Sequence, residues 1–221
     1  MIEIGPGKGA LTQALLGRAR RVAAIEVDPY LIHYLRQKFR DEARLEIVDG
    51  DVLKTDLSAW GPAAIAGNLP YYITSPILDR VFSAGGGWRR AVFLMQKEVA
   101  ERLTATPGTR AYGYLTVLTS VYAEARILFP VSRGAFQPPP KVDSAAVLLT
   151  PRDESATPGL EDRRAFLKFA SVCFAHKRKT LRNNLLDFYG AEQVEALPQA
   201  ARRAEQLSVG ELAELYRLLR R

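Results

Sequence analysis

Glu3-Ile4-Gly5-Pro6-Gly7-Lys8-Gly9 decides the fold: the strand-like Ile2-Glu3-Ile4 runs into a glycine turn, and a helix follows. Glycines let the backbone turn tightly and let a ligand approach the main chain, so the turn is a candidate cofactor site. It satisfies Gly-x-Gly-x-x-Ala through Gly5, Gly7 and Ala10, with Glu26 about 20 residues on. A nicotinamide dehydrogenase therefore stays open on this element, as does a turn that binds nothing. A Walker phosphate loop is excluded, because no Gly-Lys-Ser/Thr follows.

Outward from the turn, short β-type runs alternate with helical ones, the pattern of a mostly parallel sheet covered by helices. Strands are expected at Ile2-Glu3-Ile4 and at residues 21–27, 44–48, 63–67, 91–95, 125–129 and 145–149. Asp28-Pro29 places an acidic cap before a proline at the first helical position, with Leu31, Tyr34, Leu35 and Phe39 at helical spacing. A second helix is expected from Thr74-Ser75-Pro76 through Leu78 and Phe82 to the stop at Gly85-Gly86-Gly87. Residues 151–159 turn polar and read as a linker. Beyond it, 161–174, 179–188 and 208–219 read as helices. The expected organisation is a catalytic domain over 1–152 and a small all-helical domain over 160–221.

The 221 residues suffice for such a pair, and 48% hydrophobic with 25% charged residues is ordinary for a globular protein. No apolar run approaches the roughly 20 residues of a membrane-spanning helix, and no signal peptide is visible at Met1. The single Cys173 excludes an intramolecular disulfide and a multi-cysteine zinc site, which fits a cytoplasmic setting; it sits among Phe169, Val172 and Phe174 as a core residue. A net charge of +7 and a pI near 9.6 favour a polyanionic partner.

Glu26 ends the second strand, and Asp51 follows the third. Glu26 can accept hydrogen bonds from ribose hydroxyls, and Asp51, in Asp49-Gly50-Asp51-Val52, can accept one from an adenine amino group. Together at adjacent strand ends they point to a nucleoside cofactor. After the fourth strand comes Asn68-Leu69-Pro70-Tyr71. The Asn68 side-chain oxygen and the Leu69 carbonyl can each accept a hydrogen bond from N6 of adenine, a weak nucleophile that must be held in line and favoured as charge develops. Pro70 stiffens the loop and Tyr71 offers a ring for an extruded base. No metal and no strong base are required.

These motifs, with Phe136-Gln137-Pro138-Pro139-Pro140-Lys141-Val142-Asp143-Ser144, residues 176–185 (HKRKTLRNNL) and Arg203-Ala204-Glu205-Gln206-Leu207-Ser208, carry a resemblance. The chain resembles the ribosomal RNA small-subunit dimethyladenosine transferases, the bacterial family linked to kasugamycin sensitivity, over essentially its whole length. The resemblance implies a Rossmann-like S-adenosylmethionine-dependent core with a helical C-terminal domain. It also implies a product of two adjacent N6,N6-dimethyladenosines near the 3′ end of 16S rRNA, made during assembly of the immature 30S subunit. It places Glu3, Gly5, Gly7, Glu26, Asp51, Val52 and Asn68 around the cofactor, and Asn68, Leu69, Pro70, Tyr71 and Phe136 around the target.

Phe136, directed by the proline run, is a candidate second ring opposite Tyr71. Lys177, Arg178, Lys179 and Arg182 form a basic run expected to meet RNA, with Lys141 and Arg110 as weaker candidates. The family carries a few tens of residues before the glycine turn, so the true start is expected upstream of Met1, with weakened cofactor binding in the chain as given. Two other readings stay open: a macrolide-resistance-type 23S rRNA adenine methyltransferase, from which Leu69 and the 140–144 run point away, and a non-catalytic small-subunit assembly factor. A monomer with no membrane association is expected.

Overall fold

The structure is a computed structural model that describes residues 1–152 and 162–220. Five strands run parallel: β1 (Ile2–Ile4), β2 (Val22–Glu26), β3 (Leu45–Asp49), β4 (Ala63–Asn68) and β5 (Trp88–Gln96). With β6 (Ala123–Val131) and β7 (Ser144–Pro151) they make one sheet in the order β3-β2-β1-β4-β5-β7-β6, and β7 is antiparallel to β5. Ile2, Ile4, Ala24, Ile25, Ile65 and Phe93 are all buried, which is why the central strands read as near-continuous apolar runs.

Chain order reverses between β1 and β4. Ile4 lies in register with Ile25 of β2 and Gly67 of β4, so the carboxyl ends of three strands meet at that reversal. Open α/β sheets bind ligands at such a point. The helices are α1 (Ala10–Leu16), α2 (Pro29–Lys38), α3 (Thr74–Ser83), α4 (Lys97–Leu103), α5 (Tyr114–Tyr122), α6 (Arg163–Cys173), α7 (Leu181–Leu185), α8 (Ala191–Glu195) and α9 (Val209–Leu219). Asp28 caps α2 by accepting from the N–H groups of Tyr30 and Leu31, with Pro29 next to it as the sequence indicates. No helix among the described residues is long and apolar enough to cross a membrane.

The chain packs as two compact units, Met1–Ala100 with Ala125–Pro151, and Glu101–Glu124 with Arg152–Arg221. This differs from a cut made along the chain at residue 152, because α5 belongs with the second unit. Most of the linker expected over 151–159, and Glu161 at the start of the first C-terminal helix, lie outside the described residues.

The second unit is organised around Phe166, Phe169 and Tyr216, whose rings lie 5.6–6.4 Å apart, while Tyr112 packs on Phe174 at 6.0 Å. Burial pushes the Cys173 thiol up to about 12, so this sulfur stays protonated as a core group. Asn184 closes the end of α6 by donating to the Cys173 carbonyl at 2.8 Å. The helix expected over 179–188 is shorter: Thr180 fixes its start by accepting from the Asn183 N–H, and turns replace it after Leu185.

Candidate active site

Gly5, Gly7 and Gly9 all have positive φ, at 66°, 58° and 76°. At Gly9 a Cβ would lie 2.6 Å from Phe39 and 3.0 Å from Leu35, so this glycine lets α2 and the residue that ends it pack against the turn. At Gly7 a Cβ would meet nothing within 4 Å; that glycine faces open space. Lys38 holds the turn from the same side, donating from Nζ to the Lys8 carbonyl at 2.8 Å.

Glu26 is the partner of the turn. Its Oε2 accepts from the Gly7 N–H at 3.2 Å, and Oε1 accepts from Val27 and Asp28 at 2.9 and 3.1 Å. Of the roughly four acceptor positions on a carboxylate, three are used by backbone, leaving one on Oε2. Asp51 accepts from the Leu53 N–H through Oδ1 at 2.9 Å, and Val52 beside it is buried.

Glu3 on β1 is 1% exposed, and neither of its oxygens nor the Thr12 hydroxyl beside it makes a hydrogen bond of good geometry among the described residues. Burial raises the Glu3 carboxyl above the usual carboxylate range; nearby Thr12 pulls the other way, and the charge of Glu26 adds to the rise. A buried, unpartnered carboxyl at the turn asks for a cationic partner.

The Asn68–Tyr71 loop is tied down at several atoms. Leu69 is buried and its N–H donates to the Leu94 carbonyl of β5 at 2.9 Å. The Pro70 carbonyl accepts from the Ile73 N–H at 3.2 Å and the Thr74 hydroxyl at 3.1 Å. The Tyr71 hydroxyl shares a 2.8 Å hydrogen bond with the Ser144 hydroxyl of β7. The exposed Asn68 side chain and the Leu69 carbonyl have no partner among the described residues.

Phe136 is half-buried at the end of a short 3-10 turn, its N–H donating to the Arg133 carbonyl at 3.3 Å; Lys141 further along is exposed.

In the second unit the basic run follows α6 and enters α7. Lys177 donates to the Arg110 carbonyl at 2.6 Å and approaches the Glu205 carboxylate at 3.8 Å, while Arg182 pairs with Glu195 at 2.7 Å. The side chains of Arg178 and Lys179 are exposed and have no protein partner among the described residues. A cavity of about 370 Å³ opens between Arg110, Lys177, Arg178, Arg203 and Glu205.

A model of the ribosomal RNA adenine dimethylase family matches residues 1–221. The chain belongs to that family. The ribosomal RNA small subunit methyltransferase A of Chlorobium chlorochromatii (strain CaD3) is 41% identical over 224 residues, covering 100% of this chain and 82% of the relative. Among solved structures, a dimethyladenosine transferase from Plasmodium falciparum aligns with a TM-score of 0.80 at 28% identity, over 97% of this chain and 87% of its own. The 23S rRNA methyltransferase ErmE aligns at 0.72 and 30% identity, over 100% of this chain and 90% of its own.

As a ribosomal RNA adenine dimethylase, the chain is an S-adenosylmethionine-dependent methyltransferase on a Rossmann-like fold. The residues present fit that cofactor. Gly7 leaves space for a ligand against the main chain, and the orphaned Glu3 carboxyl suits the ammonium group of its methionine part.

Thr12 and Lys38 lie beside the candidate site without being legible in the sequence, and Ser144, which the sequence offers only as part of a motif, has a partner there that the motif does not announce. Ser144 lies 73 residues from Tyr71, and no local pattern announces a contact at that separation. Lys38 reads as an ordinary cation in the last turn of a helix.

Proposed function

We propose that the chain methylates N6 of two adjacent adenosines near the 3′ end of small-subunit rRNA, working as a cytoplasmic monomer on the immature 30S subunit. One observation carries this reading. In a loop whose Leu69 N–H, Pro70 carbonyl and Tyr71 hydroxyl are engaged, the Asn68 amide oxygen and the Leu69 carbonyl have no partner among the described residues. Two acceptors side by side match the two hydrogens of an exocyclic amine.

S-adenosylmethionine supplies, when bound, an electrophilic methyl group on a sulfonium. Glu3, Gly5 and Gly7 would hold its methionine part, the remaining acceptor of Glu26 its ribose, and Asp51 with Val52 its adenine. Asn68 and Leu69 hold N6 in line and stabilise the positive charge that grows on it, without reorganising to do so. Tyr71 and Phe136 stack the extruded base; such stacking contributes roughly 1–3 kcal/mol per base and offsets much of the penalty for unstacking it.

The helical unit contributes phosphate contacts through Arg178 and Lys179, whose charges have no protein partner among the described residues, with Lys177 and Arg182 in support; Lys141 adds a charge on the first unit. The relative named small subunit methyltransferase A supports the choice of subunit. The likeness to ErmE supports a second reading, a large-subunit substrate on the same core.

Methyl transfer from labelled cofactor to separated immature 30S and 50S particles, followed by mapping of the modified positions, tests the proposal. Label confined to adjacent adenosines near the 3′ end of 16S rRNA is expected. Label in 23S rRNA moves the assignment to the second reading, and label in neither removes both.

A further inference from the structure

We propose that Asp143 and Ser144 form a positioning clasp that fixes both aromatic walls of the base site, Tyr71 directly and Phe136 through its turn. The inference rests on the reading of Tyr71 and Phe136 as those walls.

Ser144 begins β7, fully buried and in register with Gln96 of β5. The main chain just before it is also held: the Asp143 carbonyl accepts from the Lys97 N–H at 3.0 Å. The Ser144 hydroxyl is thus presented from a rigid strand start, and its 2.8 Å bond to the Tyr71 hydroxyl fixes the far end of that ring. Tyr71 lies in a short 3-10 turn, Tyr71–Ile73, whose next residue, Tyr72, is 86% exposed. Nothing in the local sequence keeps the Tyr71 ring from swinging out in the same way; the bond to Ser144 does.

Asp143 acts on the other wall. Its Oδ1 accepts from the Arg133 N–H at 3.0 Å, and the Arg133 carbonyl in turn accepts from the Phe136 N–H at 3.3 Å. Ser132 closes the same turn, accepting from Gly134 through its hydroxyl and from Ala135 through its carbonyl. Two hydrogen bonds therefore connect Asp143 to the backbone that carries Phe136. One dipeptide holds two segments distant in sequence, and both holds end in the aromatic residues assigned to the target base. Neither residue needs to touch substrate.

The test uses the full chain with cofactor and immature 30S subunits. Loss of one neutral hydrogen bond predicts that Ser144→Ala and Tyr71→Phe each lower kcat/KM by about 2- to 12-fold. Their effects are expected not to multiply: the double variant should be no slower than either single, because both remove the same bond. Cofactor affinity by calorimetry should stay unchanged in all three. Asp143→Ala is expected to lose activity to a similar extent, whereas Asp143→Asn, which keeps an acceptor oxygen, should retain it.

Wild-type activity in Ser144→Ala, or losses that multiply in the double variant, would overturn the clasp. Should Ser144→Ala not fold, Tyr71→Phe and the Asp143 pair decide: full activity in Tyr71→Phe, or equal losses in Asp143→Ala and Asp143→Asn, overturns it. Tyr71→Ala separates the two levels. If it is fully active, the base-wall reading itself fails; if it is impaired while Tyr71→Phe and Ser144→Ala are not, only the clasp fails.

Discussion

In the Asn68–Tyr71 loop the Leu69 N–H, the Pro70 carbonyl and the Tyr71 hydroxyl are all bonded within the protein, and the Asn68 side chain and the Leu69 carbonyl have no partner among the described residues. In the His176–Arg182 segment the selection runs over charges instead: Lys177 and Arg182 are engaged with Arg110, Glu205 and Glu195, and Arg178 and Lys179 have no partner among the described residues. In both regions internal bonds decide which groups are available. What differs is the demand on geometry. A transition-state contact needs acceptors fixed to within tenths of an ångström, whereas phosphate neutralisation works through long side chains in solvent.

That contrast predicts effects of different size and kind. The largest is expected for Asn68→Ala, which removes an acceptor aimed at developing charge and should lower kcat by about 10²–10³-fold. Raising the subunit concentration should not restore the rate. Tyr71→Ala comes next: loss of a stacking platform of roughly 1–3 kcal/mol predicts about 5- to 150-fold in kcat/KM. The double change Arg178→Ala with Lys179→Ala should act on binding alone, lowering the slope of log affinity against log salt by about 0.7–0.9 for each phosphate no longer neutralised. Saturating subunit should bring its rate back to that of the unaltered protein. Arg182→Ala breaks a half-exposed ion pair, an interaction contributing about 0–1 kcal/mol, and should change the salt slope less than either neighbour.

The smallest expected effect is on stability. Because burial raises the Glu3 carboxyl above its ordinary range, the folded state binds this proton more tightly than the unfolded chain does. Stability from that group is therefore fully present below the unfolded value and is lost as pH rises through the folded one. At neutral pH, Glu3→Gln should raise the melting temperature of the cofactor-free protein by roughly 2–4 °C per kcal/mol relieved, and the gain should vanish in acid. The same variant should gain less melting temperature than the unaltered chain when S-adenosylmethionine is added. Thermal melts with and without cofactor at two pH values read both.

The parts of the fold legible in the sequence are those where local chemistry and tertiary packing agree. All seven strands lie close to where the sequence places them, because Val, Ile and Ala runs bounded by turns allow little else. The cap at Asp28-Pro29 and the stop at Gly85 are equally plain. α5 is not, since Tyr114-Leu-Thr-Val-Leu-Thr-Ser-Val-Tyr122 is rich in β-branched residues and nothing in it marks a helix. Burial of Thr116, Val117, Leu118, Thr119 and Val121 overrides that preference, and the threonine hydroxyls bond to the carbonyls of Arg102 and Leu115. In the candidate site, residue types chosen for their chemistry are visible, whereas the supports are not. Asn68 and Glu26 stand out from spacing and strand ends. The bond from Ser144 to Tyr71, the orphaning of Glu3 and the pairing of Arg182 with Glu195 exist only after folding.

The most direct measurement is a crystal structure of the protein with S-adenosylhomocysteine and an RNA containing the target adenosines. The N6 atom of an extruded adenine is expected within about 2.7–3.2 Å of both the Asn68 side-chain oxygen and the Leu69 carbonyl. An adenine bound elsewhere, or either oxygen turned from N6 to a partner within the protein, would contradict the assignment.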